Sequence, residues 1–477
     1  MGRRVVVVGA GIAGLAAAHA LAEALPASVE VLVLEGSPHI GGKLLVEEVA
    51  GVPCDLGAES LLNRRPEAVA LAVEAGLGDD VVHPATAGAA IWTRDAVRAM
   101  PPTVMGMPTD LDALSGSGIL SPAGADRARR EPDVAGAPLD EEQADGVSVG
   151  RLVDARFGPE VTDRLVEPLL GGVYAGHARD LSLAAAAPQI ARLAGRDTSL
   201  LRAAGPPVPE DAADTTPIFA GVRGGVGRLA QAVAASTRAS LRTRATVREL
   251  HRLPGDRWRL VVGSAHASEQ VEADAVVLAT PAPPTARLLD RVSPVAATEL
   301  RRIEYASMAV VTLAYPEMAV WDRLTGSGFL VPPVDGRAIK AATFSASKWE
   351  WVGRRGAEEQ VVLLRASIGR HREEQVLQRD DDEMVALATA DLERALGLPR
   401  PLVDWQVTRW GGGLPQYTIG HRGRVRRIRA AVEAVPRLEV CGAAYDGIGV
   451  AACVADGQRA ATRVLAQLAG EGGWTHE

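Results

Sequence analysis

The sequence predicts a mixed α/β (α+β) protein in which a parallel sheet flanked by helices is assembled from separated segments, with other regions inserted between them. Three observations carry this. A β-branched run, a glycine turn, an alanine-rich helix and a second β-branched run follow one another at the N-terminus. A short apolar strand, DAVVLATP (274–281), stands near the middle, and another, LEVCGAA (438–444), runs into a glycine turn and a helix near the C-terminus. The 477 residues exceed one ordinary domain. With 47% apolar and 23% charged residues the composition is that of a soluble globular protein, which excludes disordered, collagen-like and coiled-coil chains. A net charge of −8 argues against a protein that coats nucleic acid or an anionic membrane. The three cysteines, Cys54, Cys441 and Cys453, are too few and too scattered for a disulfide framework or a metal site, so a reducing compartment is expected.

Val5–Val8 suit a strand buried on both faces. Gly9, Gly11 and Gly14, with Ala10, Ile12 and Ala13 between and beside them, give the G-x-G-x-x-G spacing. The first glycine allows a tight turn, the second lets the backbone approach a pyrophosphate, and the third lets the helix pack on the strand. Residues 12–25 continue as a helix whose N-terminal amides would hold phosphate. VEVLVLE (29–35) then ends in Glu35, followed by Gly36; a carboxylate there can accept both ribose hydroxyls. Arg3 and Arg4 before an apolar run also imitate a signal peptide. Gly9, Gly11, Gly14 and His19 interrupt that run, and it falls short of the roughly 20 apolar residues of a spanning helix.

Up to Glu35 the unit serves NAD or FAD equally. Its continuation EGSPHIGGKL, with Gly41, Gly42 and Lys43, resembles the extended fingerprint of large FAD-dependent oxidoreductases, including amine oxidases and porphyrinogen oxidases. DLGAESLLNRR (55–65), MPPTVMGMPTD (100–110), LVEPLLGGVYAG (165–176), TRWGGGLPQYTIGH (408–421) and CGAAYDGIGVAACVADG (441–457) carry the likeness further. Together they resemble the bacterial oxygen-dependent porphyrinogen oxidases of haem synthesis, and in particular the coproporphyrinogen III oxidases that form coproporphyrin III. Where the family often shows Pro-Asp-Ser, this chain has Ala58, Glu59 and Ser60, so it departs at the first two positions.

The resemblance implies noncovalent FAD and a six-electron oxidation of a porphyrinogen in three hydride transfers to flavin N5, each followed by reoxidation with molecular oxygen to hydrogen peroxide. It places Gly57, Ala58, Glu59 and Ser60 under the isoalloxazine, Val247 by the adenine, Trp410 near the cofactor, and Ile448, Gly449 and Val450 at a helix end facing the flavin pyrimidine or the diphosphate. Gly171, Gly172 and Tyr174 are candidates for the wall opposite the flavin, with Gly172 and Tyr174 nearest the chemistry. Four propionates call for guanidinium forks; the candidates are Arg64, Arg65 and Arg365. His177 reads as a loop residue, and Cys441 and Cys453 as buried thiols. A protoporphyrinogen oxidase of the same mechanism, a flavin amine oxidase and a non-catalytic FAD binder remain alternatives at this point.

The expected organisation is a discontinuous FAD-binding domain (1–80, 215–290, 405–477), a substrate domain (81–110, 291–404) and a helical insertion (111–214). Expected partners are the porphyrinogen, oxygen and, transiently, a chelatase of haem synthesis, with no nucleic acid. The expected location is cytoplasmic, with at most peripheral membrane contact, because the insertion lacks a long aromatic-rich apolar face.

Overall fold

The computed structural model describes residues 3–86, 88–134, 136–205 and 216–469. Arg4–Val8 is the middle strand of a five-stranded, wholly parallel sheet in the order Ser240–Arg242, Glu30–Leu34, Arg4–Val8, Ala275–Leu278, Leu438–Val440. A central parallel strand is covered on both faces and must be apolar throughout; Val5, Val6 and Val7 are completely buried. Val5 and Val7 pack toward the helix Ile12–Ala24, and Val6 and Val8 toward the opposite layer around Trp258 and Leu260. Each such side chain contributes about 1.5–3 kcal/mol by leaving water.

The long C-terminal helix Val450–Ala469 crosses the first helix at very short range. Gly457 makes this approach possible, because a Cβ there would stand 2.1 Å from the Ala13 carbonyl oxygen. Over the other face lies an antiparallel sheet of Val247–Leu253, Arg257–Gly263 and Ser268–Ala273. The segments ATVRELHRL and WRLVVGS suggest only a hairpin over 245–264. Its third strand reads SEQVEA, with Ser268, Glu269 and Gln270 exposed and only Val271 and Ala273 turned inward, so it lacks a β-like composition.

A seven-stranded mixed sheet forms the second large layer, ordered Asp404–Pro415, Tyr305–Pro316, Val361–Ile368, Ile339–Thr343, Gly328–Leu330, Ala89–Thr93, Ala96–Ala99. The segment 405–415, expected within the FAD-binding domain, is the edge strand of this sheet, paired along Tyr305–Pro316 with Thr312 opposite Gln406 and Met308 opposite Trp410. Gly411–Gly413 lie within this strand, and an edge strand needs only one partner and tolerates such a run.

Helices dominate the described part of 111–204 and share a core of Leu114, Val153, Phe157, Leu165 and Leu170. Residues 135 and 206–214 of the expected insertion, like the terminal 1–2 and 470–477, lie outside the described residues. Glu131, within the polar and charged stretch 126–146, is fully buried: it accepts from Ser199 Oγ and the Leu200 amide, each at 2.7 Å, and so caps the helix Leu200–Ala204. Among the described residues no helix is long and apolar enough to cross a membrane.

Candidate active site

The glycine turn emerges from the carboxyl end of the central strand, where parallel sheets place their ligands. Gly9 has φ +104°, a conformation that side chains rarely adopt. A Cβ on Gly11 or on Gly449 would meet nothing within 4 Å, whereas one on Gly42 would touch only Gly11 Cα, at 3.4 Å. The amino ends of the helices Ile12–Ala24 and Val450–Ala469 therefore open onto a glycine-lined space, the second of them carrying Ile448, Gly449 and Val450. The Gly41 amide donates to Ala10 O at 2.8 Å, which clamps the second glycine pair onto the first turn. Glu35 accepts from the Ala10 amide (2.7 Å) and the Ser37 amide (2.8 Å), and its remaining lone pairs are open to hydroxyl donors. The Ala245 amide donates to Glu35 O, and Thr246 lies against Gly36, so the chain reaches Val247 directly beside the acid. The Val247 side chain itself is core.

Lys43 is half-buried beside this turn, and burial lowers the pKa of its ammonium, with the Cys453 thiol a smaller opposing influence. A cation held there suits a phosphate. Cys441 and Cys453 are free and buried; burial pushes the Cys453 thiol up to about 12, against the pull of Lys43. The glycine cradle, the carboxylate and the half-buried cation fit the adenosine and diphosphate of a dinucleotide.

The stretch Gly57–Ser60 leaves this cradle along the face of the seven-stranded sheet. Gly57 is required, since a Cβ would sit 2.0 Å from Lys43 O. Trp410 donates from Nε1 to Leu56 O at 2.9 Å, and its ring edge lies against Gly57. Glu59 forms buried ion pairs with Lys348 (2.5 Å) and Arg365 (2.6 Å); Lys348 also donates to Ser60 Oγ at 2.9 Å. Burial opposes the charge on Glu59, but the two cations overcome it and hold the carboxyl down to about 2.

Arg365, taken from the sequence as a propionate ligand, therefore has a different task in the fold. Its Nη1 is on Glu59 and its Nη2 donates to Gly57 O at 2.6 Å, so both terminal nitrogens serve to hold the loop. The family's Pro-Asp-Ser gives no reason to expect this. Glu59 reaches one cation on the strand Val361–Ile368 and one at the end of the short helix Ser345–Lys348. Arg64 is exposed, and Arg65 pairs with Glu67 at 2.8 Å on the surface beyond this stretch.

Gly172 and Tyr174 lie near the end of the helix Glu167–Tyr174, with Gly172 exposed and facing Leu330. Tyr174 is buried, and its ring stands 5.6 Å from that of Tyr417. Sequence reasoning missed Tyr417. Its hydroxyl donates to Ala443 O (2.7 Å) and accepts from the Gly447 amide (2.9 Å), which ties the helix of Gly172 to the loop before Val450. His421 stacks on the Tyr417 ring at 3.9 Å. His177, expected in an exposed loop, is instead braced between Glu167 (3.1 Å) and His371 O (3.0 Å), and the Glu167 hydrogen bond raises its pKa.

Residues 12–465 match the family described as flavin containing amine oxidoreductase. The chain belongs to that family. It is an FAD-dependent oxidoreductase. The coproporphyrinogen III oxidase of Mycobacterium tuberculosis (strain ATCC 25618 / H37Rv) is 37% identical over 97% of both chains. That of Bacillus subtilis (strain 168) is 27% identical over 98% of both. A solved protein of Exiguobacterium sp. 255-15, described as a protoporphyrinogen oxidase, superposes with a TM-score of 0.84 at 28% identity, covering 97% of this chain and 99% of its own.

Proposed function

We propose that this protein is a coproporphyrinogen III oxidase that converts coproporphyrinogen III to coproporphyrin III in haem biosynthesis. Six electrons and six hydrogens leave the macrocycle, and three molecules of oxygen become three of hydrogen peroxide, so the reaction balances. The reading rests on the 37% identity spanning 97% of both chains, which leaves no domain of those relatives without a counterpart here. When bound, FAD supplies the hydride acceptor and the route to oxygen. The chain's own residues have a positioning task. The Lys348–Glu59–Arg365 network fixes the loop 57–60, while the Tyr174–Tyr417 contact fixes the opposite wall relative to the Gly447 turn. Gly172, exposed on that wall, leaves room for a flat macrocycle, and the pyrrole NH groups can release protons without a dedicated protein base. Arg64 and Arg65 are the proposed surface partners of propionates. Product release to a chelatase and peripheral contact with a membrane belong to the same reading.

The rival is protoporphyrinogen oxidation, favoured by the description of the Exiguobacterium protein. Turnover of both porphyrinogens, followed by porphyrin fluorescence with FAD-replete protein, separates the two. The expected result is a kcat/KM at least tenfold higher for the four-propionate substrate; preference for the two-propionate substrate overturns the assignment.

A further inference from the structure

The chain has only three lysines, and two of them, Lys43 and Lys348, are already placed beside the cofactor cradle and the loop 57–60. The third, Lys340, is 1% exposed on the strand Ile339–Thr343. The ladder to the next strand is irregular at this point: Ile339 faces Ile368 and Ala341 faces Ser367, so Lys340 is the extra residue of a bulge. Bulges re-aim side chains, often beside active sites. Here the ammonium is turned toward the Met308 sulfur at 3.7 Å, and a thioether is a weak acceptor that cannot balance a buried charge.

Met308 stands opposite Trp410, and Thr312, four residues further along the strand and on the same face, stands opposite Arg365. Trp410 and Arg365 are the residues that hold Leu56, Gly57 and Glu59, so Lys340 reaches onto the sheet face that covers the loop 57–60. A second buried cation adjoins it. Arg370 is 5% exposed, donates from Nη2 to Val331 O at 3.0 Å, and has a buried Nε with no acceptor. Val331 in turn donates its amide to Lys340 O, and it follows Leu330, the residue against Gly172. Among the described residues neither cation is in an ion pair. Glu373 and then Glu167 are near enough to act on Arg370 through space, but neither pairs with it: Glu373 is an exposed side chain 3.8 Å from His177 Nε2, and Glu167 is bound to the Ala178 amide and His177. Burial, then the charge of Arg370, lowers the Lys340 ammonium to about 7.

Two adjacent buried cations without a carboxylate are costly in a folded protein unless an anion completes them. We propose that Lys340 and Arg370 form a carboxylate-binding subsite, between the Gly172 wall and the loop 57–60, that receives one propionate of the substrate. This rests on the porphyrinogen reading given above and extends it to a subsite that discriminates by charge.

The test uses FAD-replete wild type, Lys340→Met and Arg370→Gln, with coproporphyrin III and its uncharged tetramethyl ester as probes of binding and coproporphyrinogen III as substrate. Each substitution should weaken binding of the tetra-acid roughly 10- to 100-fold and raise KM to match, because a hydrogen-bonded charge partner is lost. Affinity for the ester and flavin content should stay unchanged. Lys340→Met should also melt at or above the wild-type temperature in the absence of porphyrin, since it removes an unpaired buried charge. Equal affinity of wild type and variants for the tetra-acid overturns the subsite, as does an equal loss for the ester, or a Lys340→Met protein that melts far below wild type. Wild type that oxidises coproporphyrinogen while Lys340→Met shares its KM defeats the subsite alone; wild type that neither binds nor oxidises any porphyrin defeats the functional reading beneath it.

Discussion

Gly14→Val is expected to yield protein that retains less than a tenth of the wild-type FAD after desalting. Gly14 lies one turn into the helix Ile12–Ala24, where a Cβ would fall 1.9 Å from Gly9 O and 3.0 Å from the Ala279 Cβ. Neither neighbour can yield. Gly9 is already in the left-handed region at φ +104°, and Ala279, just past the strand Ala275–Leu278 that pairs with the central one, is itself tied down, its amide donating to Val8 O at 2.8 Å. The helix must therefore back away from the turn, which carries its amino end away from the phosphates as well as costing the ~1–3 kcal/mol or more of an overpacked core. Gly11→Ala is the informative contrast, since its Cβ meets no protein atom within 4 Å. It should fold and melt like wild type yet hold FAD less tightly. Flavin absorbance per protein chain, read beside a melting curve, checks both; a Gly14→Val protein with full flavin content would show that this turn is not the cofactor site.

Arg365→Met is expected to lower stability by about 3 kcal/mol, the scale for removing one partner of a buried ion pair when a second cation, here Lys348, stays behind. Its guanidinium is the link between Glu59 and Gly57 O, so the loss should also loosen the loop and reduce FAD affinity. Chemical denaturation of the flavin-free and FAD-bound forms measures the two effects separately. A residue whose task was to hold a substrate carboxylate would behave in the opposite way, with unchanged denaturation and a raised KM. That outcome would restore Arg365 to the propionates and undo the structural role assigned to it.

The contrast between Gly14 and Arg365 also marks what was legible in the sequence. The turn Gly9–Gly14, the helix after it and the acid at Glu35 are contiguous, and each follows from the local demands of a strand that must turn sharply and present amides. The partners of Glu59 lie almost 300 or more positions away, at Lys348 and Arg365, and only the assembled sheet brings them together. Composition held a signal for that site: in a chain of 477 residues with three lysines, two lie at the cofactor end and the third on the face above the loop 57–60. Tyr417 was visible as part of TRWGGGLPQYTIGH, but its task depends on the Gly447 amide thirty positions on. The edge strand Asp404–Pro415 was hidden by its glycines, and Ser268–Ala273 by its polar outer face.

The central claim is that these residues hold an FAD that takes hydride from a porphyrinogen. Its most direct test is the absorbance spectrum of the purified protein, titrated without oxygen with coproporphyrinogen III. The bands of oxidised flavin should disappear as the porphyrinogen is added, and admitting oxygen should restore them with porphyrin and hydrogen peroxide formed in a ratio of one to three. Flavin that stays oxidised with porphyrinogen but is bleached by a primary amine would contradict the claim and make the protein an amine oxidase.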